Sequence, residues 1–407
     1  MSAPTSTRVN PPQTSLVIMS REGCSSIPSA TSKSPAEPSQ KIPKRLLRYQ
    51  PLSADDHTVQ YLGAFLTYLP PDGRVNLAAD IDLIADDEDE GLHRLVQRLD
   101  VGLLRPMVAA GGLIPVPNVR LPRWRGGSGF EGDDDGDNAG ETLCSEDINP
   151  GVARAQLSSR KHCLSRDGPR CVISGDWGCG LNGIDIPPGT NISDVEAAHI
   201  LPLALGVDAF DRRYQDDDRR RRSTVWTNLY RYFPTLKSGL DFGPESINDE
   251  RNVMMVTRAI HYEMGRYKII LEEMETEIKQ QHQPQHRYTI KALKGCRSTT
   301  KDMLPADGVV AFTTQPDTRY ARPDPYLIKV HAAIGNILHV TEVGQRLQPW
   351  RNEMAHARSL RRDGRGRTRL EEMLSVSKLA LLASSEVNVS LASRPRKILH
   401  YIFRYGR

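Results

Sequence analysis

Glu196-Ala-Ala-His199-Ile-Leu-Pro202 sets a histidine inside a short apolar segment that a proline closes. Val195 to Leu201 therefore reads as a strand with His199 near its end. Upstream, Arg166-Asp-Gly-Pro169 is a helix stop and turn, and Cys171-Val-Ile-Ser-Gly175 reads as a second short strand; the two are expected to pair as a hairpin. Downstream, Arg251-Asn252-Val-Met-Met-Val256 opens another apolar stretch, compatible with strand or helix, and His261-Tyr-Glu-Met-Gly265 leads into Tyr267-Lys-Ile-Ile-Leu271. Taken singly these residues say little. A histidine among apolar neighbours is usually a satisfied core residue, and an asparagine opening an element is usually a cap.

Outward from this segment the chain changes character. Residues 1 to about 43 are rich in Ser, Pro and Thr and offer too little apolar surface to offset the entropy of ordering, so they read as a disordered arm. Across 44–113, Asp55 to Leu69 and Glu88 to Val108 carry apolar residues at helical spacing, with Pro70-Pro-Asp-Gly73 as the turn between them and Pro106 expected to end or kink the second helix. Residues 114–150, with the Asp133 to Asp137 run and several Gly and Pro, read as a linker; as a calcium loop they fail, because Ala139 falls where a ligand is needed. Residues 151–275 hold the strings quoted above. Within them Ala153 to Ser165 reads as a helix, 207–222 as a solvated polar loop, and Trp226 to Phe233 as a helix that Pro234 ends. Residues 276–407 form a helical and basic region: Pro323 to Val340 is a helix with one apolar stripe, Arg361 to Arg369 reads as exposed, and Lys378 to Ser384 as a short helix.

Composition narrows the class. Of 407 residues, 54 are Lys or Arg and 50 Asp or Glu, so distribution matters more than total charge; from Arg346 onward fourteen basic residues face five acidic ones. The six cysteines form no dense framework, which points to reduced thiols in an intracellular protein, nuclear or cytoplasmic with nuclear favoured by short Lys/Arg-rich clusters. No run approaches the roughly 18 to 20 apolar residues of a membrane-spanning helix.

The ordered set Arg-Asp-Gly-x-x-Cys-Val-Ile-Ser-Gly from Arg166, Glu-Ala-Ala-His-Ile-Leu-Pro from Glu196, Arg-Asn-Val-Met-Met-Val from Arg251 and His-x-x-Met-Gly from His261 resembles the HNH endonuclease family, and more narrowly the HNH domain of uncharacterised fungal proteins. The resemblance covers about 120 residues of the chain. It implies an α+β fold with a ββα-metal core, in which His199 is the general base, Asn252 braces the loop that carries it, and His261 ligates one divalent metal ion. The implied partner is nucleic acid, with DNA expected and RNA the alternative. Many members place a metal ligand directly before the base, where this chain has Ala198; Glu196, one pleat back on the same strand face, is the candidate that could reach the ion directly or through water.

The residue types suit that chemistry. An imidazole, with an ordinary pKa of about 6.5, can take a proton from water near neutral pH. A divalent cation can offset charge on phosphate, and an open oxygen-rich shell suits Mg²⁺ or Mn²⁺ better than Zn²⁺. Cys171 is followed by Ser174 where zinc-stapled relatives carry a second cysteine, so no structural zinc is expected. Two other readings remain: a nucleic-acid-binding protein that keeps the scaffold without activity, favoured by Ala198, and a protein-interaction module.

Overall fold

The computed structural model describes residues 41–111, 150–179, 186–206, 216–274, 287–313 and 318–347. The readings made for the N-terminal arm up to residue 40, for the linker 114–150 except its last residue, for 207–215 of the polar loop, and for 361–369 and 378–384 lie outside these residues. From Lys41 the chain runs through α1 (Lys41–Arg48), α2 (Thr58–Tyr68), α3 (Pro71–Asp82), α4 (Asp89–Leu99), a π-helical turn (Asp100–Leu104) and α5 (Arg105–Ala110). The two helices expected from apolar spacing are α2 and the α4–α5 pair. Pro106 does not end the second one: the π turn before it carries the helical backbone on into α5.

The Pro70-Pro-Asp-Gly73 string starts a helix instead of forming a turn. Pro71 occupies the first position of α3 and Asp72 its first turn, both favourable there. Gly73 is required: a Cβ on it would sit 2.0 Å from the Tyr232 carbonyl oxygen, so only glycine lets α3 lie this close to the next helical layer.

The second half runs α6 (Pro150–Asp167), β1 (Trp177–Gly178), β2 (Ile192–Ser193), β3 (Val195–His199), α7 (Asp216–Tyr232), α8 (Thr235–Ser238), β4 (Val253–Thr257), α9 (Arg258–Met264), β5 (Ile269–Glu273), β6 (Arg287–Ala292), α10 (Ser298–Lys301), β7 (Val309–Ala311), α11 (Pro325–Val340) and α12 (Val343–Arg346). Helices with several small sheets make this an α+β fold. Part of the segment read as a solvated loop is the start of α7.

The expected hairpin between 171–175 and 195–201 does not form. Gly175, at φ +79°, turns the chain back so that its N–H donates to the Cys171 carbonyl (3.0 Å), and the Ser174 N–H donates to Cys171 Sγ (3.2 Å). The result is a tight knuckle around the thiol, attached to the sheet by one bond from Val172 N–H to the Met255 carbonyl (2.8 Å). The partner of β3 is β4, antiparallel, with Val195 opposite Thr257 and His199 opposite Val253. This five-residue ladder settles Val253 to Thr257 as a strand, and all five of its residues are buried.

One continuous apolar core takes side chains from Ile42 in α1 to Val343 in α12, so the regions 44–113, 151–275 and 276–407 all contribute to it. Arg166, wholly buried at the end of α6, ties it together. Its guanidinium chelates Asp167 (2.6 and 2.8 Å) and donates to the carbonyls of Glu250 (2.7 Å), Val253 (2.7 Å) and Ala321 (2.8 Å). The Met255 N–H donates in turn to Asp167 Oδ2 (3.2 Å). Both charges are thereby paired and bonded, the condition under which a buried ion pair is tolerated.

Candidate active site

β3 alternates, with Glu196 and Ala198 buried and His199 half-buried at its end. Directly after β4, Thr257 caps α9 by accepting from the Ile260 N–H (3.4 Å), so the second strand turns into the helix without a loop. That short connection lifts His261, in the last turn of the short helix α9, over β3. Its Nδ1 lies 2.6 Å from Glu196 Oε1. The unit is thus strand, strand, helix, with a long excursion through α7 and α8 between the strands.

Burial alone would raise the Glu196 carboxyl, but the bond to His261 and the nearby Arg258 outweigh it and hold it below the usual carboxylate range. Glu196 is therefore anionic at neutral pH and only accepts, so Nδ1 of His261 carries the proton in this bond. In the neutral ring Nε2 then holds the lone pair. The second oxygen of Glu196 lies 3.5 Å from Arg258 Nε.

Asn252 has no exposed surface and spends its amide on the neighbouring backbone. Nδ2 donates to the carbonyls of Leu201 (3.0 Å) and Ile247 (2.9 Å), and Oδ1 accepts from the Leu201 N–H (2.8 Å). The Ile200 N–H donates to the Asn252 carbonyl (2.8 Å), extending the ladder one step past His199. The chain leaving the histidine is thus fixed on both sides.

His199 Nε2 lies 3.1 Å from Asn248 Oδ1. Burial, aided by the nearby His261 and opposed by the Asn248 bond, pushes the His199 pKa down to about 4, so the ring is neutral at physiological pH. His199 and His261 line one small cavity together with Ala110 and Gly111 at the end of α5, Ile200, Pro202, Leu203, Gly265, Tyr267 and His331. His331, on α11, bonds through Nε2 to the Met264 carbonyl (3.1 Å) and stacks on Tyr267 at 4.7 Å between centroids. Its pKa is likewise pushed down by burial to about 4.

The structure brings His199, His261 and Glu196 together and sets Asn252 behind them. Asn248, His331 and the α5 terminus were not anticipated: Asn248 is one of two asparagines in the same loop, and His331 sits on an apolar helical stripe where a core role is the ordinary reading. Among the described residues no three His, Cys, Asp or Glu side chains converge as a closed metal cage. The donor set does fit an open one. An imidazole whose Nδ1–H is held by a carboxylate is the usual arrangement of a metal-binding histidine, and water and substrate oxygens can complete the shell.

Residues 171–272 match the model of the HNH endonuclease family. No curated protein and no solved structure matches the chain. The matched segment contains His199, Asn252, His261 and Glu196, whereas α5 and α11, which supply walls of the cavity, lie outside it. An HNH domain implies a nuclease-type domain that binds nucleic acid, and such nucleases generally use a divalent metal ion. Among the described residues no helix is long and apolar enough to cross a membrane.

Proposed function

We propose that this chain is a metal-dependent endonuclease that hydrolyses phosphodiester bonds of DNA at a ββα-metal site formed by β3, β4 and α9. The observation that carries the reading is the shared cavity of His199 and His261, each at its motif position on the strand–strand–helix unit inside the matched segment. His199, neutral at physiological pH, accepts a proton from the water that attacks phosphorus. Asn252 keeps the strand end from swinging, so the ring meets that water in one geometry. His261 would hold the ion through Nε2, and Glu196 orients the imidazole and adds negative charge beside it. When bound, a divalent cation offsets the charge that builds on the phosphate oxygens and the leaving oxygen. Mg²⁺ or Mn²⁺ suits a shell with one nitrogen and otherwise oxygen ligands.

The test is cleavage of plasmid DNA by the full chain across Mg²⁺, Mn²⁺ and Zn²⁺ concentrations, with a chelator control. We expect cutting with added metal and none with chelator, while circular dichroism stays unchanged because the ion does not hold the fold together. His199→Ala should lower the rate by about 10² to 10⁴ and leave nucleic-acid binding intact. Binding without cleavage under every metal would place the inactive scaffold reading ahead, the reading that Ala198 favours.

A further inference from the structure

The loop that Asn252 braces also carries Asn248, which nothing in the family's motif assigns. Its Oδ1 lies 3.1 Å from His199 Nε2. Three bonds hold Asn248 itself in place. Its carbonyl accepts from the hydroxyl of Ser159 (2.5 Å), a buried residue on α6; the preceding carbonyl, of Ile247, accepts from Asn252 Nδ2 (2.9 Å); and the following residue, Asp249, caps the next turn through the Arg251 N–H (2.9 Å). The amide is therefore presented to His199 from a loop anchored at both ends.

A neutral imidazole has one nitrogen that donates and one that accepts, and the partner of the first decides which is which. An amide oxygen accepts only, so the His199 nitrogen facing it carries the hydrogen. We propose that Asn248 is a positioning residue that fixes the tautomer of His199, holding Nε2–H and leaving Nδ1 as the nitrogen that receives the proton from water. The choice of amide over carboxylate is informative. An Asp at this position would also accept from Nε2–H, but its charge would favour the imidazolium, which cannot act as a base. Asn selects the tautomer while keeping the ring neutral. The catalytic part of this inference rests on the hydrolytic role of His199 proposed above; the tautomer itself does not.

The two parts separate in one set of measurements on the full chain. In ¹⁵N-histidine-labelled protein at neutral pH, long-range ¹H–¹⁵N correlation distinguishes a protonated from an unprotonated ring nitrogen, with His199 assigned by its loss in His199→Gln. We expect wild type to show Nε2–H with an unprotonated Nδ1, Asn248→Ala to show a mixture of tautomers, and Asn248→Asp to keep Nε2–H while shifting the ring toward the imidazolium, with Nδ1 protonated as well. In the cleavage assay Asn248→Ala should lower kcat by about tenfold to a hundredfold, the usual effect of losing such an outer partner, with KM unchanged. Ser159→Ala, which frees the Asn248 carbonyl without touching the amide, gives the same tautomer shift in weaker form if Asn248→Ala fails to fold. Nδ1–H in the wild type, or Nε2–H persisting unchanged in the Ala variants, overturns the assignment whatever the activity. A wild type that cuts nothing yet shows the expected tautomers defeats the hydrolytic reading and leaves Asn248 as the residue that sets the ring.

Discussion

Replacing Asn252 by alanine should be the most damaging single change near the site, and its magnitude can be worked from three bonds. The side chain has no exposed surface, and its amide satisfies the Leu201 carbonyl, the Ile247 carbonyl and the Leu201 N–H. Alanine leaves these three backbone groups without a partner, and each buried orphan costs about 1–3 kcal/mol. A water entering the vacated space can recover part of that, so we expect a net loss of about 3–5 kcal/mol, a large share of the roughly 5–15 kcal/mol that holds an ordinary domain together. Asn252→Asp should do no better, because it keeps the acceptor but turns a negative charge toward two carbonyl oxygens. Urea unfolding at pH 7, followed by the fluorescence of the buried Trp226 and its companions, reads the shift of midpoint. The cleavage rate should fall with it, since the strand end holding His199 loses its anchor. A midpoint shift worth less than about 1 kcal/mol, with the slope unchanged, would refute the claim that this amide holds the loop.

Glu196→Gln removes the charge beside His261 while nearly keeping its shape; the metal concentration for half-maximal cleavage should rise about tenfold to a hundredfold, and an unchanged metal titration would remove Glu196 from the metal site. His331 is neutral in the fold with a pKa of about 4 against an ordinary 6.5, so between those values the unfolded chain takes up a proton that the folded one does not. Stability therefore falls as pH drops through that window and levels off below it, by about 2 kcal/mol from this residue between pH 7 and pH 5. His331→Gln, which can still donate to the Met264 carbonyl, should flatten the slope by that amount in unfolding titrations at the two pH values, and an identical slope would contradict the assignment. Arg166→Met should cost about 3–5 kcal/mol because Asp167 is left as a buried carboxylate facing apolar surface; wild-type stability in that variant would mean the ion pair contributes nothing to the fold.

The strand carrying His199 was legible in the sequence, because a short apolar segment closed by a proline leaves few arrangements; that His199, Asn252 and His261 belong together was implied only by the resemblance of the ordered strings to the HNH family. The pairing was not legible, because Cys171 to Gly175 has the composition of a strand, and only the left-handed turn at Gly175 and the wholly buried β4 decide that β3 pairs elsewhere. Sequence separation hid the partner: the true neighbour of β3 lies beyond α7 and α8. The α3 helix was missed because Pro-Pro-Asp-Gly punctuates a turn as readily as it opens a helix, and the choice is made by Gly73 lying against Tyr232. His331 was invisible for a different reason: α11 packs on β5 and brings the ring to Tyr267 and the Met264 carbonyl, a tertiary fact that no local pattern carries.

The reach of Arg166 along the chain has a consequence for how the protein is made. Its carbonyl partners lie 84, 87 and 155 residues downstream. At about 5–20 residues per second, the last of them is added roughly 8–30 seconds after the arginine. Until then the guanidinium cannot be sealed away, and α11, which closes one side of the histidine cavity, has not been synthesised. A nascent chain that already carries every residue of the strand–strand–helix unit thus still lacks one wall of the cavity that His199 and His261 share, and that cavity is completed only when α11 has been added. Chains halted before Ala321 should accordingly remain protease-sensitive and inert toward the nucleic acid that surrounds them on the ribosome.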